Sequence, residues 1–187
     1  MPKVKKKLTL RGMASLPGVI MLLSSSLISG VNADGNTATL NITGRVLANS
    51  CTVDTSSAVQ NIRLPDIGDR DLSGKGRTGG EKTIDITLKN CGEATSSVIV
   101  TASGGTDADD LSAFANTAAG GAAGVGLYFY QTDGKTLFRP DGSIKETSVL
   151  QPAVDNTLTY KAAYVSTQET VKAGSFSSVV NLRFDYQ

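Results

Sequence analysis

The last twelve residues, Phe176 to Gln187, alternate in character. Phe176, Ser178, Val180, Leu182, Phe184 and Tyr186 fall on one side, and the mainly polar set Ser177, Asn181, Arg183, Asp185 and Gln187 falls on the other. Side chains of a strand alternate between faces with a period of two, so the pattern predicts a β-strand with one strongly apolar face. The strand is expected to continue to the last residue, with nothing after it to turn back and pair with its far side. At the edge of a sheet, its backbone groups and apolar face then need a partner from elsewhere.

A matching object lies near the other end. Ala38, Leu40, Ile42, Gly44 and Val46 share one face, and Thr37, Thr39, Asn41, Thr43 and Arg45 share the other. The chain thus carries a strand-like tail at one end and a strand lacking a neighbour at the other. The two ends can pair within one chain. Across neighbouring chains the same pairing is β-strand addition, and it links subunits head to tail.

The first 33 residues have a different task. They contain five basic side chains (Lys3, Lys5, Lys6, Lys7 and Arg11) and no acidic one. An apolar run from Met13 to Ile28 follows, interrupted by Pro17 and Ser24 to Ser26, and then Val31-Asn32-Ala33. A charged start, a short apolar middle and a small-x-Ala end predict a secretory signal peptide over 1–33. As a membrane span the run is too short and too polar, since a span takes about 20 apolar residues. Without it the chain keeps 154 residues, with 13 basic and 17 acidic groups and a net charge of −4. An acidic exported domain with no basic stripe is a poor partner for nucleic acid.

Export also bears on the two cysteines. Cys51 and Cys91 are the only pair, and an oxidising compartment makes a disulfide the expected outcome. A redox role ordinarily wants the two thiols close in sequence, as in Cys-x-x-Cys, and these are 40 apart. The chain contains no histidine. That excludes a Ser-His-Asp triad, a Cys-His pair and an imidazole zinc site.

The rest reads as short strands separated by turn residues. Thr83 to Lys89 places Ile84, Ile86 and Leu88 on one face, and Val98 to Thr101 is β-branched. Gly126 to Gln131 precedes Thr132-Asp-Gly-Lys135, where Asp-Gly predicts a tight hairpin turn. Asn156 to Val165 aligns Leu158, Tyr160, Ala162 and Tyr164. One helical turn is expected within Asp109 to Thr117. The whole predicts an all-β antiparallel sandwich.

With these residues in view, the chain resembles a subunit of chaperone–usher fimbriae of the type 1 pilus family. The resemblance covers everything after the signal. It rests on Leu40-x-Ile42-x-Gly44-x-Val46-x4-Cys51, on Leu88-Lys-Asn-Cys91-Gly, on Gly124-Val-Gly-Leu, on Gly174 fourteenth from the end, and on the penultimate Tyr186. It implies an incomplete immunoglobulin-like sandwich lacking its last strand, with an N-terminal donor-strand extension over 34–46 and a pilin domain over 47–187. The missing strand leaves a groove beside Val180, Leu182, Phe184 and Tyr186. A periplasmic pilus chaperone is expected to lend a strand to that groove. At the outer-membrane usher, the tail of the next subunit replaces it. By the same logic Ala38, Leu40, Ile42, Gly44 and Val46 enter the groove of the preceding subunit, with Gly44 where backbone must approach closely. No cofactor or metal is implied. The 17 residues from Asp34 to Ser50 form a short tail, which leans towards a minor, adaptor-like subunit.

Other features carry less. Asp107-Ala-Asp109-Asp110 has the carboxylates a hard cation wants but not the rest of a coordination loop. Ser73 to Gly80 is glycine-rich and basic without the spacing of a phosphate loop. Asn41-Ile-Thr43 is a glycosylation sequon inside the proposed donor strand, where a glycan would block insertion. In Tyr128-Phe129-Tyr130, a sugar-stacking run by composition, alternation sends Phe129 opposite to its neighbours. Leu64-Pro65-Asp66-Ile67 suits an edge strand or bulge. The function these features favour is a structural subunit of an adhesive fimbria, carried through the periplasm to the cell surface. A carbohydrate-binding tip adhesin is the alternative, though it would need a further lectin domain and no donor tail. A secreted β-sandwich enzyme is a distant third.

Overall fold

The computed structural model describes residues 39–46 and 49–187. The signal segment 1–33, the start of the tail and Ala38 lie outside the described residues. The strands are β1 (Thr52–Val53), β2 (Thr78–Lys89), β3 (Ser97–Gly104), β4 (Phe114–Ala115), β5 (Val125–Tyr130), β6 (Asp141–Val149), β7 (Asn156–Ser166) and β8 (Val180–Tyr186). The helix α1 (Thr55–Ala58) and a 3-10 turn at Asp69–Leu72 are the described helical pieces.

Every strand pairs antiparallel. One sheet runs β1-β2-β7-β5-β4 and the other β6-β3-β8. Alternation explains the layering. Ile86 and Leu88 of β2, Val98, Val100 and Ala102 of β3, and Leu158, Tyr160 and Ala162 of β7 are all buried, and each set is spaced by two. An aromatic group fills the middle, with the ring of Phe129 5.7 Å from Phe138 and 5.4 Å from Tyr160. Phe129 faces this core while Tyr128 and Tyr130 stay half-buried on the outer side, as alternation requires. Burial, then the hydrogen bond to Asp110, push the Tyr128 phenol up.

Three local expectations change. The turn after β5 is wider than a two-residue hairpin: Gln131 N–H donates to Thr136 C=O at 2.8 Å, and the Asp133 side chain accepts from the N–H groups of Lys135 and Thr136. Gly134, at φ 68°, supplies the left-handed residue of that loop. The helical turn expected within Asp109 to Thr117 does not form. The Asp107 carboxylate takes the N–H groups of Asp109 and Asp110, and the Asp110 carboxylate takes that of Ser112. Short acidic side chains thereby displace the helix's own bonds, and Phe114 runs on into β4. Finally, the ladder of the last strand begins at Val180 rather than Phe176, because Ser177 is held by Asn116 and Thr117 instead.

The cysteines are joined, Cys51 to Cys91. The bridge ties the entry to β1 onto the end of β2, whose ladder pairs Thr52 with Lys89 and Val53 with Leu88.

Candidate functional site: a groove beside the last strand

Strand β8 pairs with β3 from Val98↔Tyr186 to Gly104↔Val180, and Gln187 continues the contact, donating to Ser97 C=O at 2.9 Å. On its other edge β8 has no ladder partner among the described residues. What sets this edge apart is the groove of about 1210 Å³ that opens beside it between the two sheets.

Its walls follow from the sequence pattern. Val180, Leu182 and Phe184 project from β8, and Ile84, Ile86, Leu127 and Phe129 come from the facing sheet. The β8 side chains are only partly buried, yet they pack against the core cluster. Tyr186 packs against the same cluster but does not line the groove. Its hydroxyl is buried without a hydrogen-bond partner in the protein, and burial pushes its pKa up. The opposite rim is the irregular segment 60–69, with Ile62, Leu64 and Ile67 along the groove. Neither an edge strand nor a ladder forms at Leu64-Pro65-Asp66-Ile67. An exposed apolar trough of this length is a surface that must be covered.

Two residues fix the end of the groove where β8 begins. Gly174 passes so close to the Gly121–Ala122 backbone that a Cβ there would lie 2.5 Å from Ala122 N. The motif marked Gly174 from sequence, and this contact is its physical reason. Asn116 was invisible to sequence reasoning. Its amide N–H groups donate to Ala122 and Ser175 C=O at 2.9 and 3.1 Å, and its carbonyl accepts from Ala118 and Ser177 N–H at 3.1 and 3.0 Å. One side chain therefore clamps two loops together. Nothing in its local sequence separates it from an ordinary loop asparagine.

The chain divides into two units between Thr43 and Gly44. In the first, the described residues Thr39–Thr43 form no ladder, and Leu40 and Ile42 are 83% and 90% exposed. In the second, Val46 is fully exposed, and Arg45 makes a 2.9 Å ion pair with Glu93 beside Cys91. Gly44 has open space around it. The Asp107 to Asp110 carboxylates are engaged by loop N–H groups, Tyr128 and Gln168.

A two-sheet antiparallel sandwich with an apolar groove beside its last strand defines a class of immunoglobulin-like assembly subunits. Comparison with known proteins gives the family. The model of the family described as "Fimbrial protein" matches residues 40–187. The laminin-binding fimbrial subunit ElfA of Escherichia coli O157:H7 is 32% identical over 173 residues, covering 90% of this chain and 93% of that one. A type I fimbria protein of Burkholderia pseudomallei has 30% identity at a TM-score of 0.54, over 73% of this chain and 89% of that one. The P pilus rod subunit PapA shares the fold, with a TM-score of 0.61 and 22% identity over 73% and 99% of the two chains. The chain belongs to the fimbrial protein family and is a structural pilus subunit of the chaperone–usher type. Such subunits polymerise with neighbouring subunits, and its place is the surface fimbrium. A tip adhesin is not favoured.

Proposed function

We propose that the groove beside β8 is the acceptor for the tail of the next subunit, and that this chain's own tail fills the groove of its predecessor. The single observation that carries the reading is the partnerless edge of β8, running beside an apolar trough of about 1210 Å³. An extended segment laid there completes the ladder and covers the trough at once. The acceptor strand is β8, with Val180, Leu182 and Phe184 as the wall and Tyr186 anchoring the strand's end to the core. The donor is Ala38, Leu40, Ile42, Gly44 and Val46, whose period of two matches a strand entering between two sheets. The exposure of Leu40, Ile42 and Val46 suits residues that find their burial on another molecule.

On this reading residues 1–33 direct export, 34–46 form the donor extension and 47–187 form the pilin domain. A periplasmic chaperone covers the β8 groove until the outer-membrane usher brings the next tail. The test is a graft. With residues 34–46 fused after Gln187 through a flexible linker, the chain folds as a stable monomer needing no added strand. The ungrafted chain, exported without a chaperone, aggregates or is degraded. A stable ungrafted monomer with its β8 edge still open overturns the reading.

A further inference from the structure

The three-stranded sheet has two outer strands, β8 and β6. Strand β6 pairs only with β3, so among the described residues its outer edge also lacks a ladder partner. A bare edge is a template for any extended segment. A fibre built by strand addition holds many alternating apolar tails close together, and two receptive edges per subunit would give branched or side-by-side growth.

The inner face of β6 is unlike that of β8. Gly142, Ile144, Glu146 and Ser148 point between the sheets. Glu146 pairs with Val100 in the ladder and is 7% exposed. One carboxylate oxygen accepts the Thr132 N–H at 3.0 Å and also the Thr132 hydroxyl. The other oxygen is buried with no hydrogen-bond partner in the protein. Thr132 is the second residue after β5, so this carboxylate ties β6 to the loop that leaves the other sheet. Beside it the opening between Thr147–Val149 and Thr157–Thr159 is about 490 Å³ and lined mostly by hydroxyl side chains.

We propose that Glu146 closes β6 to strand addition and so leaves β8 as the single acceptor edge of the three-stranded sheet. The proposal rests on the reading of β8 as the acceptor. An incoming tail on β6 would seal an apolar side chain such as Ile42 beside a carboxylate that is already nearly buried and has one oxygen unbonded, and would bar water from reaching it, which is strongly unfavourable. Inward-pointing charge on an outer strand is a known defence against edge-to-edge association. Here it makes growth directional.

The experiment uses purified fimbriae, in which the β8 grooves are already filled. They are incubated with the peptide of residues 38–46 carrying a photoreactive label, and crosslinks are mapped by mass spectrometry. Wild-type shafts are expected to stay at background. Glu146→Leu shafts are expected to bind about tenfold more peptide, with crosslinks at β6 around Lys145, since the unpaired buried charge is gone. Glu146→Gln, which keeps the shape and loses the charge, is expected to fall between them. An assembled Glu146→Leu shaft that binds no more than wild type overturns the proposal. Where that variant does not assemble, Glu146→Gln decides by the same criterion. Peptide on wild-type shafts crosslinked around Lys145 also overturns it, whereas crosslinks around Arg183 would show β8 open in the polymer and overturn the acceptor reading instead.

Discussion

Lys89 Nζ lies 2.6 Å from Asp54 Oδ2, while the other oxygen of that carboxylate accepts the Ser56 N–H at 3.0 Å and so caps α1. One side chain thus ties the end of β2 to the start of α1, which leads into the groove's far rim. The Lys89 ammonium, then the Ser56 hydroxyl and N–H, hold the Asp54 carboxyl at about 2, below its ordinary 3.8. Lys89 is pushed up by the same contact. A carboxylate with a depressed pKa contributes stability above its unfolded value and loses it as pH falls through the folded one. The contribution of this pair is therefore complete above pH 3.8 and lost as pH falls through about 2. On the alkaline side it persists until pH passes the raised Lys89 value. In the grafted monomer, Asp54→Asn should melt below the parent at neutral pH, and the gap should close between pH 4 and pH 2. A gap that survives unchanged at pH 2 contradicts the assignment.

Gly174 should not tolerate even a methyl group. A Cβ there meets Ala122 N at 2.5 Å and Gly121 C at 2.6 Å, both backbone atoms with little room to yield. Gly174→Ala is expected to cost about 1–3 kcal/mol, the usual range for overpacking. Urea unfolding of the grafted monomer measures it. Because Gly174 also lines the groove, donor capture should weaken in the same variant.

The Cys51–Cys91 bridge closes a separation of 40 residues. On the chain-entropy estimate its removal should cost about 4 kcal/mol. Cys51→Ser with Cys91→Ser should lower the urea midpoint by the corresponding amount, and adding reductant to the parent should reproduce the shift. An unchanged midpoint would mean that the β1–β2 ladder alone holds this corner.

Deleting 34–43 separates the two roles of the chain. The shortened protein keeps β8 and its groove, so it should still co-purify with the chaperone. It has lost Ala38, Leu40 and Ile42, so it should not join a preceding subunit. Phe184→Ala should do the reverse. It thins the groove wall and should weaken capture of an incoming tail peptide by about 1–3 kcal/mol, the worth of a largely buried side chain, while donation stays intact. Peptide titration by fluorescence anisotropy measures the first effect and pull-down on wild-type partners the second.

What could be read from sequence follows burial geometry. Strand β8 and the stretches Ile84–Leu88 of β2 and Leu158–Ala162 of β7 were legible because their inward residues are apolar and spaced by two. Strand β6 was not, because Gly142, Ile144, Glu146 and Ser148 present a single aliphatic side chain in four inward places. The residue that hid this strand is the one argued to guard it. The near end of the groove was half legible, since Gly174 belongs to a motif whereas Asn116 works through contacts 6, 59 and 61 residues away. The rim at 60–69 follows no period, as its backbone joins no ladder.

The disulfide has a mechanical consequence. If the tail is donated as proposed, load in a fibre under tension passes from it into the domain through the segment that ends at Cys51. The first ladder it meets, Thr52–Val53 against Leu88–Lys89, is only two pairs long and would peel one pair at a time. The covalent link to Cys91 carries the pull past that weak start to the end of β2, whose nine paired positions with β7 then share the force.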